Sequence, residues 1–181
     1  MKKFLLLFLL SLGFLVGCSN ESVVTEKTTE SGARLDGCDA QVFDINAGQH
    51  ILSGNVNVQN DFENLYVTYN ANSDWRFKEL HLFVGPYANV PTRNGNPVPG
   101  RFPYKVNFNQ LTSTYTFTIP FTAIAVDQNG CYVVAAHSSM RKVNGNGGVI
   151  QSETGWGGYN DFPGNNWARY FNYCKCIGVV Q

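Results

Sequence analysis

Asn64-Leu65-Tyr66-Val67-Thr68-Tyr69 puts Leu65, Val67 and Tyr69 on one side of an extended chain and Asn64, Tyr66 and Thr68 on the other. Successive strand side chains point to opposite faces, so the alternation describes a strand with one buried face. Its aromatic and β-branched residues suit a pleated, half-buried surface. Tyr115, Phe117 and Ile119 alternate with threonines in the same way, and Leu80, Leu82 and Val84 share a face opposed by His81 and Phe83. Cys131 to Ala136 is a more continuous apolar run, the pattern of a central strand. Val42 to Ile45, Gly54 to Val58 and Tyr170 to Cys174 supply further strands.

Turn residues fall between these runs: Asn60-Asp61, Asp127-Gln128-Asn129-Gly130 and Asn144-Gly145-Asn146-Gly147-Gly148. Pro86 to Pro103 is a long irregular connection rich in proline. No stretch after residue 18 keeps a helical period for three turns. About eight short strands separated by turns predict an all-β fold, an antiparallel β-sandwich, with a closed β-barrel as the alternative.

The first residues carry a different signal. Met1-Lys2-Lys3 is a short positive stretch, Phe4 to Phe14 an apolar one interrupted only by Ser11 and Gly13, and Leu15-Val16-Gly17-Cys18 follows. An apolar core of this length suits an export signal better than a membrane span. The run before Cys18 resembles the bacterial lipobox, which implies cleavage before that cysteine and its acylation. Several acyl chains hold a protein stably where one does so marginally. The expected layout is a signal peptide over 1–17, an anchor and tether over 18–36, and one folded domain over 37–181. The tether is polar, without apolar periodicity, and could span about 60 Å if stretched. The expected location is extracytoplasmic, lipid-anchored to a membrane, with the outer membrane or cell surface favoured.

Cleavage would remove two lysines and leave 11 basic against 13 acidic residues, a net charge near −2. There is no basic tract, so a nucleic-acid partner has no electrostatic support. Charged residues are only 14% of the chain, equal to the aromatics, and Gly numbers 18, a balance closer to a secreted β-protein than to a cytosolic helical enzyme.

With Cys18 assigned to lipid, Cys38, Cys131, Cys174 and Cys176 can pair fully, as in an oxidising compartment. Cys174 and Cys176 would share a strand face, an awkward geometry for joining each other. Each is therefore expected to clamp a separate partner, one Cys38 and the other Cys131. Each such bridge is worth about 2–4 kcal/mol. A metal site at Cys174-Lys175-Cys176 is the weaker alternative, because zinc sites space paired cysteines more widely.

Several segments carry a resemblance. They are Ala47-Gly48-Gln49-His50-Ile51, Asn64 to Tyr69, Glu79-Leu80-His81-Leu82-Phe83-Val84-Gly85, Gly95 to Tyr104, Ala135-Ala136-His137, Glu153-Thr154-Gly155-Trp156-Gly157 and Asn166 to Phe171. In this order they resemble a β-rich domain that recurs in secreted and cell-surface proteins of bacteria and archaea. The match covers roughly residues 40–173. It implies location and fold, and no particular activity; the terminal cysteines lie outside the pattern.

Three constellations bear on chemistry. Trp156, Tyr159, Phe162 and Trp167 sit in a Gly/Asn-rich segment with Asn160, Asp161 and Asn165. Aromatic faces beside amides and carboxylates suit a sugar, whose C–H face packs on a ring while its hydroxyls find hydrogen bonds. Capping of the sandwich core is the competing role. It fits Trp167, which leads straight into the last strand, better than Trp156 and Tyr159, which are expected in a loop.

The second set is Glu79, His81, His137 and Glu153, a possible zinc or acid–base cluster with no HExxH-type spacing. His137 is expected just after a strand end and Glu153 in a separate loop. Histidines hydrogen-bonded within the fold are the commoner outcome, and His50 is read as structural. Third, no Gly-x-Ser-x-Gly elbow is present, and Ser138-Ser139 is too generic for a triad. Paired carboxylates among Glu79, Glu153 and Asp161 are a minor hydrolase reading. Asp61 and Asp127 are expected to form turns rather than calcium loops.

No cofactor is expected. The sequence therefore predicts a membrane-anchored binding module for a glycan or surface polymer, with an adhesive or structural protein that has protein partners as the alternative.

Overall fold

A computed structural model describes residues 39–125 and 130–177. Cys18, Cys38, the expected signal and tether, and most of the Asp127 turn lie outside the described residues. The strands are β1 (Gln41–Ala47), β2 (Ile51–Asn60), β3 (Asn64–Ala71), β4 (Trp75–Gly85), β5 (Thr92–Arg93) and β6 (Asn96–Pro97). They continue with β7 (Tyr104–Thr112), β8 (Thr114–Pro120), β9 (Cys131–Val143), β10 (Val149–Gly157), β11 (Asn160–Asp161) and β12 (Arg169–Cys174). The ladders are antiparallel, as the alternation in β3 and β8 requires.

One continuous sheet follows the path β8-β3-β2-β1-β10-β9-β4-β7. It curls around a single core that takes Val56, Val58, Leu65, Val67 and Tyr69 from one side and Phe77, Leu80, Leu82, Val134 and Phe171 from the other. The architecture is a nearly closed barrel, so the sandwich and barrel expectations meet in one object. β7 and β8 are joined through Ser113. No ladder between them occurs among the described residues. Phe108 of β7 meets Tyr115 of β8 edge-on across this seam at 5.3 Å, and Tyr115 in turn meets Phe117 edge-on along β8 at 4.9 Å.

β9 is the central strand. β4 pairs with it from Gly85↔Val133 to Trp75↔Lys142. Along its other edge β10 pairs with residues 136–143 and β12 with residues 131–134. A register shift between Phe77 and Glu79 in β4 has a further consequence. Trp75 and Phe77 face the core before it, and Leu80, Leu82 and Val84 after it. The bulge thus turns Glu79, His81 and Phe83 outward.

The outward face is not left to solvent. Phe83, Val133, Ala135 and Trp156 pack with Val90 and Phe102 from the Pro86–Pro103 connection and with Phe162 and Ala168 from the loop before β12, forming a second apolar cluster. The proline-rich connection is thus a cover, folded into two 3-10 turns and the β5–β6 hairpin, whose Asn94-Gly95 turn has positive φ at both residues.

The end of β12 and the residues to Cys176 are fastened at one end of the barrel. Cys131 and Cys174, cross-strand partners on β9 and β12, form a disulfide. Cys176 is disulfide-bonded as well, and Cys38, its expected partner, lies outside the described residues. The side chain of buried Asn60 uses all its capacity there: Oδ1 accepts from the Tyr173 hydroxyl and the Cys176 N–H, and Nδ2 donates to the carbonyls of Asp61 and Cys176. Asp61 caps its own turn, accepting from the backbone N–H groups of Glu63 and Asn64 and from the Tyr66 hydroxyl. The Cys131–Cys174 bridge spans 43 residues. Replacing both cysteines by serine is expected to lower unfolding stability by about 2–4 kcal/mol, measured by urea denaturation; an unchanged midpoint would show that the ladder and Asn60 suffice.

Candidate functional site

The segment from Gly155 to Trp167 is not one loop. Trp156 lies within β10, directly across from His137 on β9 and Asn46 on β1. Its ring is 5% exposed and meets His137 at 4.8 Å, Phe102 at 6.3 Å and Phe162 at 6.4 Å. Trp156 is therefore the centre of the outer cluster, which corrects its expected place in a ligand-binding loop. Phe162 is buried beside it.

After β10 the chain turns sharply at Gly158, whose φ is +117° and where an added Cβ would strike the Tyr170 carbonyl. β11 then returns against β12, pairing Asn160 with Tyr170 and Asp161 with Arg169. That register makes Asp161 and Arg169 neighbours, and Oδ1 of Asp161 lies 3.2 Å from Nε of Arg169. The loop 162–168 is anchored at its base by the Phe162 N–H to the Ala168 carbonyl. Asn96 Oδ1 holds its tip by accepting the Asn166 N–H, and Asn166 Oδ1 accepts the Ala168 N–H. Gly164 sits so close to Asn96 that a side chain there would collide with the amide.

This bracing leaves an open cleft of about 400 Å³ lined by Trp167, Asp161, Asn165, Asn166, Arg169 and Gln49 among others. Trp167 is half-buried and packs its inner side on the outer cluster. Gln49 reaches the cleft from the β1–β2 turn with φ +77°, an uncommon conformation for a residue with a side chain. Trp167, with the mostly buried Phe162 also lining the cleft, and three amides, a carboxylate and a guanidinium can pack an apolar ring face and satisfy several hydroxyls at once.

Tyr159 is 63% exposed and borders a second cleft of about 340 Å³ with Val42, Phe43, Asp44, Asn46, Gly158 and, again, Arg169. Asn160 lines neither cleft. Of the residues read from the sequence, Tyr159, Asp161, Phe162, Asn165 and Trp167 line a cleft, and Trp156 and Asn160 do not. Gln49, Asn166 and Arg169 were not singled out. The consecutive Asn165-Asn166 before a tryptophan is the signal that pointed nearest to them.

The polar set converges in part. His81 and His137 are cross-strand partners on the outer face, with Nδ1 atoms 3.2 Å apart. Glu79 Oε1 lies 3.1 Å from His81 Nε2. A carboxylate accepts from Nε2–H, so neutral His81 accepts at Nδ1 and His137 donates from its own Nδ1. His137 is mid-strand, not after a strand end, because β9 runs on to Val143. Glu153 lies on β10 three residues from His137's partner, beside Gly48, and accepts from Gln151 Nε2. It takes no part in the histidine pair. Each histidine presents its Nδ1 to the other, and no group of three or more metal-binding side chains assembles among the described residues. The arrangement is a hydrogen-bonded relay Glu79–His81–His137.

No family model, curated protein or solved structure matches the chain.

Burial pushes the His137 imidazole down to about 3, with the neighbouring His81 adding to it. Burial also pushes His81 down, opposed by Glu79 and reinforced by Lys105. The unfolded chain binds these protons near the ordinary 6.5, so the histidines contribute stability that is present above that pH and is lost as pH falls toward about 3. Unfolding stability is expected to fall by roughly 1.4 kcal/mol per pH unit from His137 alone below about pH 6. Urea midpoints between pH 7 and 4.5 would show this slope, and His137→Phe should flatten it. Equal slopes in the two proteins would contradict the buried relay.

Proposed function

We propose that this chain is a membrane-anchored extracytoplasmic lipoprotein whose β-domain binds a glycan or cell-surface polymer at the Trp167 cleft. The observation that carries the binding half is the cleft itself: a braced tryptophan face ringed by Gln49, Asn165, Asn166, Asp161 and Arg169. Its volume of about 400 Å³ lies at the lower end of small-ligand sites, roughly 300–1,000 Å³. Nothing in the cleft pairs a nucleophile with a base. The histidine relay lies apart from the cleft-lining residues, which favours recognition over catalysis.

Location rests on the lipobox-like Leu15-Val16-Gly17-Cys18. The resemblance of residues 40–173 to a domain of secreted and surface proteins agrees with it, as does the disulfide. Mass spectrometry of the chain purified from membranes should find residue 18 as an acylated N-terminus; an unmodified Cys18 would remove the anchor from the account.

The binding half is tested by a glycan and polysaccharide screen of the purified chain beside two variants. Trp167→Ala should keep its fold and lose 10- to 100-fold in affinity, the scale of a tryptophan anchor. Trp156→Ala should instead lose about 3–5 kcal/mol of stability, as for a large aromatic removed from a core. Absence of any glycan binding by the parent chain would sink the proposal in favour of an adhesive role through protein contacts.

A further inference from the structure

Tyr159 is the one large aromatic of the segment that belongs to neither apolar cluster, yet it is not loosely held. Its ring stacks on Phe43 at 5.9 Å and 29°, and Phe43 stacks on Phe171 at 3.7 Å and 13°. Phe171 is fully buried in the barrel core. The stack therefore runs from the core outward and ends in a ring backed on one face and 63% exposed. Exposed aromatics are ordinarily paid little attention when they stand alone. This one borders a cleft whose rim also carries Val42, 59% exposed, with Asp44 and Asn46 as polar groups.

The two clefts share Arg169, whose cross-strand partner Asp161 lines the first. The register of the β11–β12 pair sets their spacing. Asn160 faces Tyr170 and Asp161 faces Arg169, so Tyr159 stands level with Phe171. Trp167 is four residues back along the same chain. At about 3.3 Å per residue of extended chain, the backbone positions of Trp167 and Phe171 are up to roughly 13 Å apart. A monosaccharide cannot span that length.

We infer that the two clefts form one groove across Arg169, and that it takes a linear oligosaccharide of three or more units, resting on Trp167 at one end and on Tyr159 at the other. This rests on the glycan reading of the Trp167 cleft and adds the ligand's length and its second platform. Apolar ring faces would lie on the two aromatics, and the Asp161–Arg169 pair would meet the hydroxyls of the unit between them.

The test is an affinity series with the full chain against di- to hexasaccharides of the gluco-, manno-, xylo- and N-acetylglucosamine families. Affinity should rise at least tenfold from the disaccharide to the tetrasaccharide and then level off in the family that binds. Tyr159→Ala should remove that rise while leaving disaccharide binding intact. Val42→Arg, at an exposed position on the second cleft, should do the same by obstruction without touching the Tyr159–Phe43–Phe171 stack. Trp167→Ala should weaken every length. Binding that is equal at all lengths, or a length dependence that survives in both Tyr159→Ala and Val42→Arg, would overturn the extended groove and leave the single-cleft reading standing. No binding by the parent chain to any member of the series would overturn both.

Discussion

The rest of the structure depends on β9 being hydrogen-bonded along both edges and covered on both faces. β4 occupies one edge for ten residue pairs, while β10 and β12 share the other end to end. Because β10 and β12 lie in tandem, the chain between them must leave the sheet and return, and that excursion is the segment carrying Tyr159 and Trp167. Because β9 presents Val134, Ala136 and Met140 inward and Val133 and Ala135 outward, it needs two apolar partners. The barrel core supplies one. The outer cluster supplies the other, and Trp156 and Phe162 in that cluster are the floor on which the cleft loop rests. Stability and site thus share a support, and Phe162 and Trp167 serve both, each lining the cleft while packing in or on the outer cluster.

The histidine relay belongs to the same outer face. The bulge at Lys78 brings Glu79 and His81 outward, and the β4–β9 register then sets His81 against His137. A buried polar pair of this kind is costly unless each group is satisfied. Here His137 donates to His81 and His81 to Glu79, with the edge of the pair against Trp156. The relay therefore acts as a register lock for β4 on β9, and its chemistry is spent on itself.

The barrel strands with one more exposed face were legible because alternation is a direct record of that environment: β3 and β8 read correctly, and the Leu80–Val84 half of β4 did too although its outer face is covered. Cys131–Ala136 read as a central strand for the right reason, continuous burial. Its continuation through His137-Ser138-Ser139 did not, because polar residues there looked like a strand end; Ser138 faces inward and lies 3.4 Å from the Gly155 carbonyl as a donor. β10 was hidden by its glycines. Gly155 reads as a loop residue, but a Cβ there would collide with Ser138, Ile45 and Met140, so the glycine records crowding inside the barrel rather than a turn. The predicted strands omit β7, although Tyr104, Val106 and Phe108 alternate there with Lys105 and Asn107 just after the proline-rich connection ends. The exchange of roles between Trp156 and Trp167 follows from these two misreadings: once β10 is a strand, Trp156 points at the cover and Trp167 stands at the rim. The composition of the cleft, aromatic with asparagine, was visible in sequence. Gln49 and Arg169 were not, since only the fold brings the β1–β2 turn and β12 to the same opening.

The central claim is that Trp167 stands at an open cleft while Trp156 serves the core. The chain has three tryptophans, and Trp75 and Trp156 are 3% and 5% exposed. Acrylamide quenching of the native protein's tryptophan fluorescence, with and without a bound oligosaccharide, separates them most directly. The account predicts one quenchable component, absent from Trp167→Phe, retained in Trp156→Phe and shielded when the oligosaccharide is added. A quenchable component that persists in Trp167→Phe and disappears in Trp156→Phe would contradict it.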